Sequence, residues 1–297
     1  MTFAARVIRM KKGAGGGLTE GDKSNDPAVV ASANIELAAE KETGAIGAPR
    51  ASSLYGACMR MHVLGTKFNR TKTQWSSFRG KLTFGIGNAL HFWMQNEPDL
   101  FGDRRRGWWR CAGCNRIRYF GAPPKTKCEF CGARKEATFY QEHFMELRDP
   151  FMVTGHQDLF LEKRKGVFRV IEAKTMAGHL FEKLKAPMAQ DEWQLQTYMW
   201  GSQLDKKLPV EIDHDVGYLC YIAKQEFAKM LPVKMFPIEK NQYTLNLIKG
   251  KLKQYKDGMK HFPEKLPPKS QTCIRNPSGY AARQCPVGDL CEEFHHD

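Results

Sequence analysis

No apolar run in this 297-residue chain is long enough to span a bilayer, so no membrane partner is expected. The opening residues, MTFAARVIRMKKGAGGG, hold no sustained apolar stretch ahead of their small residues. That argues against a signal peptide and for the cytoplasm, or a host's cytoplasm if the protein is viral. No basic amphipathic helix with a Leu/Trp/Phe face appears, which disfavours attachment to a membrane surface. No GxxxxGK[ST] loop is present, so a helicase or recombination partner that unwinds a duplex must be a separate chain. Acidic residues are in short supply: 32 Asp and Glu against 46 Lys and Arg give a net charge of +14. A polyanion is the leading partner for such an excess.

Cysteine, by contrast, is abundant, with nine residues. In a reducing compartment that number points to metal rather than to disulfides. Cys111-x2-Cys114 and Cys128-x2-Cys131 are separated by thirteen residues. Each pair offers two thiolates to one tetrahedral ion, and the spacer is long enough to bring the chain back to it. Structural Zn²⁺ is therefore expected, within an insertion over residues 107–135 that has too small a core to fold without metal. Four free thiols would require two such pairs by chance, and redox CxxC motifs do not come in facing pairs. In that stretch and just before it, Arg104, Arg105, Arg106, Arg110, Arg116 and Arg118 interleave with Trp108, Trp109, Tyr119 and Phe120. Arginine pairs with phosphate and aromatic rings stack on bases, so these side chains are candidate DNA contacts. A solvated rim over core aromatics is the alternative.

Composition divides the rest. Residues 1–48, rich in Gly, Ala, Ser, Lys and Glu, read as a disordered leader with a short helix near Ile35–Lys41. Residues 49–297 read as one α/β domain, closed by a Pro-rich tail over 263–297 that carries Cys273, Cys285 and Cys291. Ala51-Ser52-Ser53 reads as the start of a helix bearing Cys58, and a second helix runs from about Leu82 with Gly85, Gly87 and His91 on it. The two glycines suggest close packing or close approach of a ligand. Cys220, in HDVGYLCYIA, is expected as a buried strand residue.

The stretch Val153–Met176 reads as a hairpin around Arg164-Lys165-Gly166, with Gly166 left-handed in a three-residue loop. Closing the ladder at Lys163 and Val167 sets Asp158 opposite Glu172, with Lys174 on the same face as Glu172. Two carboxylates that close repel unless a cation lies between them. A surface ion-pair ladder is the bland alternative. Farther on, Gln194 and Tyr198 share one face of a helix at i,i+4.

Gly87-Asn88-Ala89-Leu90-His91, Gly155-His156-Gln157-Asp158, Glu172-Ala173-Lys174 and Gln194-Leu195-Gln196-Thr197-Tyr198, in that order, resemble the PD-(D/E)XK nucleases. More narrowly they are similar to the RecB/AddB group and the CRISPR-associated RecB-like exonucleases, over roughly residues 50–295. The resemblance implies a restriction-endonuclease-like core, a central mixed sheet flanked by helices, from which the zinc-knuckle insertion departs. It implies that His91, Asp158, Glu172 and the Ala173 carbonyl hold Mg²⁺ or Mn²⁺, that Lys174 assists hydrolysis, and that Gln194 and Tyr198 back the site. It also implies a [4Fe–4S] cluster on Cys58, Cys273, Cys285 and Cys291. Ala282 stands where the family usually has a further Cys, and by ligand type four thiolates suit Zn²⁺ equally. The activity implied is DNA hydrolysis, exonucleolytic on single strands or duplex ends, in replication, recombination or repair of a cell, phage or mobile element. A structure-specific endonuclease and a non-catalytic DNA-binding accessory are the competing readings.

Overall fold

A computed structural model of the chain describes residues 40–76, 78–224 and 232–294. The mixed sheet forms where β-branched and aromatic residues concentrate. Its order is β12 (Val233–Glu239), β11 (Val216–Ala223), β9 (Val167–Met176), β8 (Leu159–Arg164), β3 (Arg105–Cys111) and β4 (Ile117–Gly121). β10 (Glu211–Ile212) also pairs with β9, and β5 (Thr138–Gln141) with β3. β9 runs parallel to β10 and β11 and antiparallel to β8. Beside this sheet lie two two-stranded sheets, β1 (Glu40–Ala45) paired with β2 (Thr71–Ser76) across the intervening helix, and the hairpin of β6 (His143–Leu147) with β7 (Val153–Gln157).

Period-two alternation along the central strands sorts their side chains to two covers. Phe160, Phe168, Val170, Leu219 and Tyr221 pack with Leu195, Tyr198 and Met199, on the helix Ala189–Ser202. Their sequence neighbours Leu159, Ile171, Ala173, Cys220 and Ile222 pack with Met94, on the helix Phe78–Asn96. In chain order the longer helices are α1 (Met59–Lys67), α2 (Phe78–Asn96), α3 (Ala189–Ser202) and α4 (Gln242–Lys260). The fold class is thus α/β, a mixed sheet between helices, with buried Cys220 at its centre as expected.

Several boundaries differ from the sequence reading. Glu40–Ala45 is a strand paired with β2, so the leader is ordered at its end. The short helix placed near Ile35–Lys41 falls largely outside the described residues. Ala51–Gly56 is a 3-10 turn, and Cys58 is the N-cap of α1 rather than a residue of its body. Cys58 and the extended Ala57 before it (ψ 136°) break what the sequence suggested as one helix. The second helix begins at Phe78, earlier than Leu82. A Cβ on Gly87 would lie 2.9 Å from Thr175 Oγ1, so α2 lies close on β9, whereas Gly85 meets nothing.

The hairpin keeps its register, with Leu159 opposite Ile171 and Glu162 opposite Phe168, so Asp158 comes next in line with Glu172. Its tip is tighter than expected. Lys163 bulges, Arg164 pairs with Val167, and the turn is Lys165-Gly166, with Gly166 at φ 81°. The bulge absorbs the extra residue that a three-residue loop would have held.

The knuckle stretch is also more than an appendage. Arg105 and Arg106 pair with Leu161 and Phe160, so β3 extends the main sheet before it enters the cysteine element.

Candidate functional site

Asp158 leaves the end of β7 and its side chain crosses to β9, where the Ala173 N–H donates to its Oδ2 at 2.8 Å. A strand residue turns its N–H and C=O to the same edge, so the Ala173 carbonyl faces that side as well. Glu172 is buried, and its Oε1 accepts from Lys174 Nζ at 2.6 Å. Its Oε2 is also buried and has no hydrogen-bond partner. Leaving a buried charged oxygen unpaired is costly unless a cation compensates it. From α2, His91 Nδ1 comes within 3.8 Å of Asp158 Oδ1.

Lys174 Nζ also donates to Gln194 Oε1 at 2.7 Å, and Gln194 Nε2 donates to the Tyr198 hydroxyl at 3.1 Å. The i,i+4 face of α3 thus fixes the ammonium from behind. Gly155 makes room for it, because a Cβ there would sit 2.6 Å from the Tyr198 ring.

Electrostatics follow from burial and crowding. Burial first, then the charge of Glu142, pushes Asp158 up to about 7. Burial and then Asp158 push Glu172 up to about 8. Burial also lowers His91, favouring the neutral imidazole that ligates metals. For Lys174 burial works against the charge, but Glu172 and Asp158 outweigh it and hold the group above its ordinary value. With no cation beside these carboxylates it is an ammonium.

Glu142, which the sequence reading passed over, belongs to this site. The potential ligand atoms of His91, Glu142 and Asp158 lie within 4.8 Å of one another. Glu142 follows β5, and Gln95, one turn beyond His91 on α2, donates to Glu142 Oε1 at 2.9 Å and to the Asp158 carbonyl at 3.1 Å. A lone Glu between two strands leaves no spacing signal. Gln95 was findable, since it lies four residues after His91 on one helix face.

The second centre comprises Cys111, Cys114, Cys128 and Cys131, whose sulfurs all lie within 4.8 Å. Cys111 and Cys131 are 3.7 Å apart, and Cys114 and Cys128 3.9 Å. A tetrahedral ion with thiolate bonds of about 2.3 Å requires separations of about 3.8 Å. The two halves repeat one backbone design. The residue after the second cysteine is left-handed in both, Asn115 at φ 59° and Gly132 at φ 72°. Each donates its N–H to the carbonyl of the first cysteine, at 2.8 and 3.0 Å. This four-cysteine site can hold a metal ion.

Cys58, Cys273, Cys285 and Cys291 do not form so tight a group. Burial raises Cys273 and Cys285, and Cys58 and Cys291 raise both further, so the four thiols share one neighbourhood. Around them the tail helix Gly288–Glu293 packs on α1 through Leu290, Val287 and Leu64. Buried Arg60 donates to the carbonyls of Pro267 at 3.2 Å and Phe294 at 2.5 Å.

The candidate DNA contacts divide by alternation along β3. Arg105 and Trp109 are buried: Arg105 donates to the Glu97 carbonyl at 2.9 Å, with its guanidinium 5.1 Å from the Trp109 ring. Trp108 stacks on His143 at 4.7 Å and packs against the core. Arg106 pairs with Glu162 at 2.6 Å, and Arg110 donates to Asn115 Oδ1 at 3.3 Å. Arg104 is exposed. As they stand, Arg105, Trp108 and Trp109 serve the core rather than a polyanion.

Among the described residues no helix is long and apolar enough to cross a membrane. No protein-family model matches the chain, and no curated protein matches it. Among solved structures the chain is similar to the protein in "Crystal structure of SSO0001". The TM-score is 0.25 and the identity 16%, over 52% of this chain and 59% of that one. At that level the likeness assigns neither fold nor function.

Proposed function

We propose that the chain is a metal-dependent deoxyribonuclease with a PD-(D/E)XK core. The observation that carries the reading is the buried, partnerless Glu172 Oε2 beside Asp158, with a lysine ammonium on the other Glu172 oxygen. Carboxylate oxygens suit Mg²⁺, and the His91 imidazole tilts the preference toward Mn²⁺. His91, Glu142 and Asp158, whose donor atoms converge, would hold the ion, with Glu172 Oε2 and the Ala173 carbonyl as further donors. When bound, such a cation supplies Lewis acidity toward a phosphodiester oxygen and lowers the pKa of water.

Lys174 has a separate part. Two of its three N–H groups are committed to Glu172 and Gln194. The third is left to meet charge that builds on the phosphorane oxygens. The preference for single strands or duplex ends rests on the resemblance to RecB-like exonucleases. Zn²⁺ is the ion proposed for Cys111, Cys114, Cys128 and Cys131, with a structural role. An iron–sulfur cluster is proposed for Cys58, Cys273, Cys285 and Cys291, whose looser grouping suits a centre larger than one ion.

The test is digestion of DNA labelled at the 5′ or 3′ end, single- and double-stranded, with Mg²⁺ or Mn²⁺. Cation-dependent cleavage that disappears in Asp158→Ala is expected. Cleavage at the wild-type rate in Asp158→Ala removes the assignment. DNA binding without cleavage under any condition favours the accessory-protein reading.

A further inference from the structure

With Arg105, Trp108 and Trp109 committed to the core, the excess of positive charge needs another surface through which to act. A cleft of about 340 Å³ opens against the cysteine element, lined by Arg116, Arg118, Lys125, Lys127, Pro124 and Phe130 among others. Lys125, Lys127, Arg116 and Phe130 are exposed. The Phe130 ring is 42% exposed, and the Arg116 guanidinium covers it at 5.4 Å. Of the basic groups, Arg118 is partly neutralised by Glu129 at 3.6 Å. The lining therefore has four basic side chains, one acidic one and a half-exposed ring beneath a guanidinium. Phosphate groups and unpaired bases match these features, whereas a duplex keeps its bases stacked inside.

The position of the cleft matters as much as its charge. Thr138, the first residue of β5, lines it. Glu142, in the acidic site, follows the last residue of the same strand. Four residues of extended chain span about 13 Å. At about 3.4 Å per nucleotide of a stacked strand, about four nucleotides cover that distance.

We propose that this cleft holds single-stranded DNA a few nucleotides from the acidic site, with a base on Phe130 and phosphates on Arg116, Lys125 and Lys127. The proposal rests on the nuclease reading of that site, and its test separates the two. Fluorescence anisotropy of a fluorescein-labelled oligothymidylate is measured with full-length Asp158→Ala protein, so that no cleavage intervenes. Phe130→Ala is expected to weaken binding about ten-fold. Lys125→Ala with Lys127→Ala is expected to lower the salt slope of the binding constant by about 1.4, or about 0.7 per lost phosphate contact. Equal metal content and an unchanged melting temperature show that the variants fold. A labelled duplex binding more tightly than the single strand overturns the proposal. So does binding that none of these exposed substitutions changes, even where the wild-type chain cleaves DNA and the nuclease reading stands. A protein that neither binds nor cleaves DNA overturns both.

Discussion

Glu142 brings a negative charge to a place where Asp158 is already pushed up to about 7, in part by that same charge. Without a cation the two groups work against each other. Exchanging Glu142 for Gln keeps the shape and an oxygen for the Gln95 amide, but removes the charge. The metal-free variant is expected to melt higher than wild type. Its Mn²⁺ affinity is expected to fall about ten-fold or more, a loss typical of disturbed ligand environments. Calorimetric titration and thermal melting report the two signs separately, and a purely structural Glu142 would lower the melting temperature instead. The same reasoning explains why this residue was hard to see in advance. Asp158, Glu172 and Lys174 announce themselves by strand alternation around a hairpin, whereas Glu142 is brought in by β5 and oriented by Gln95, at positions no local spacing connects.

The β8–β9 hairpin is anchored by a group outside it. Asp213 binds Lys163, the bulged residue, and Arg169, both at 2.8 Å. Burial alone would raise Asp213, but Lys163 and Arg169 outweigh it and hold the carboxyl at about 2, below 3.8. A carboxyl with a depressed folded pKa stabilises the native state above its unfolded pKa and loses that contribution as pH falls. Urea midpoints of the wild type should thus drop between pH 3.8 and about 2. Asp213→Asn should be less stable at neutral pH and flatter across that window. At this scale the hairpin and its register were legible, because the turn residues around Gly166 fix where the two alternating apolar runs meet. The tip was not, since a bulge at Lys163 preserves that alternation and leaves no trace in it. β3 was misread for a related reason. Arg-Arg-Gly-Trp-Trp-Arg-Cys reads as one cluster of arginines and aromatics, yet period two divides it into Arg105, Gly107, Trp109 and Cys111 on one side. The burial observed along β3 follows that division.

Across the whole molecule the four dispersed cysteines come together because the tail folds back on α1. Arg60 is the buried tie, and its donors serve carbonyls from Pro267 to Phe294. Arg60→Met is expected to lower stability by about 1.5–3 kcal/mol, the scale for hydrogen bonds from a charged group. It should also reduce the iron retained after anaerobic purification, measured by metal analysis and visible absorbance. Iron unchanged in the variant would separate the tie from the thiols, and the absence of iron from the wild type would remove the cluster. The cysteine positions were readable from the sequence. The carbonyls that hold the tail were not, because backbone acceptors carry no sequence signal.

That tie also sets an order of events during synthesis. Arg60 and Phe294 are 234 residues apart in the chain. At about 5–20 residues per second, a ribosome needs about 10–50 s to add the second after the first. For that interval α1 waits without the surface that covers it, and Cys58 waits without its companions. Cells that elongate this chain slowly should carry a longer-lived burden of chaperone-bound, metal-free nascent chain. Slowing elongation would not shorten that wait, whereas moving the tail ahead of α1 by circular permutation would.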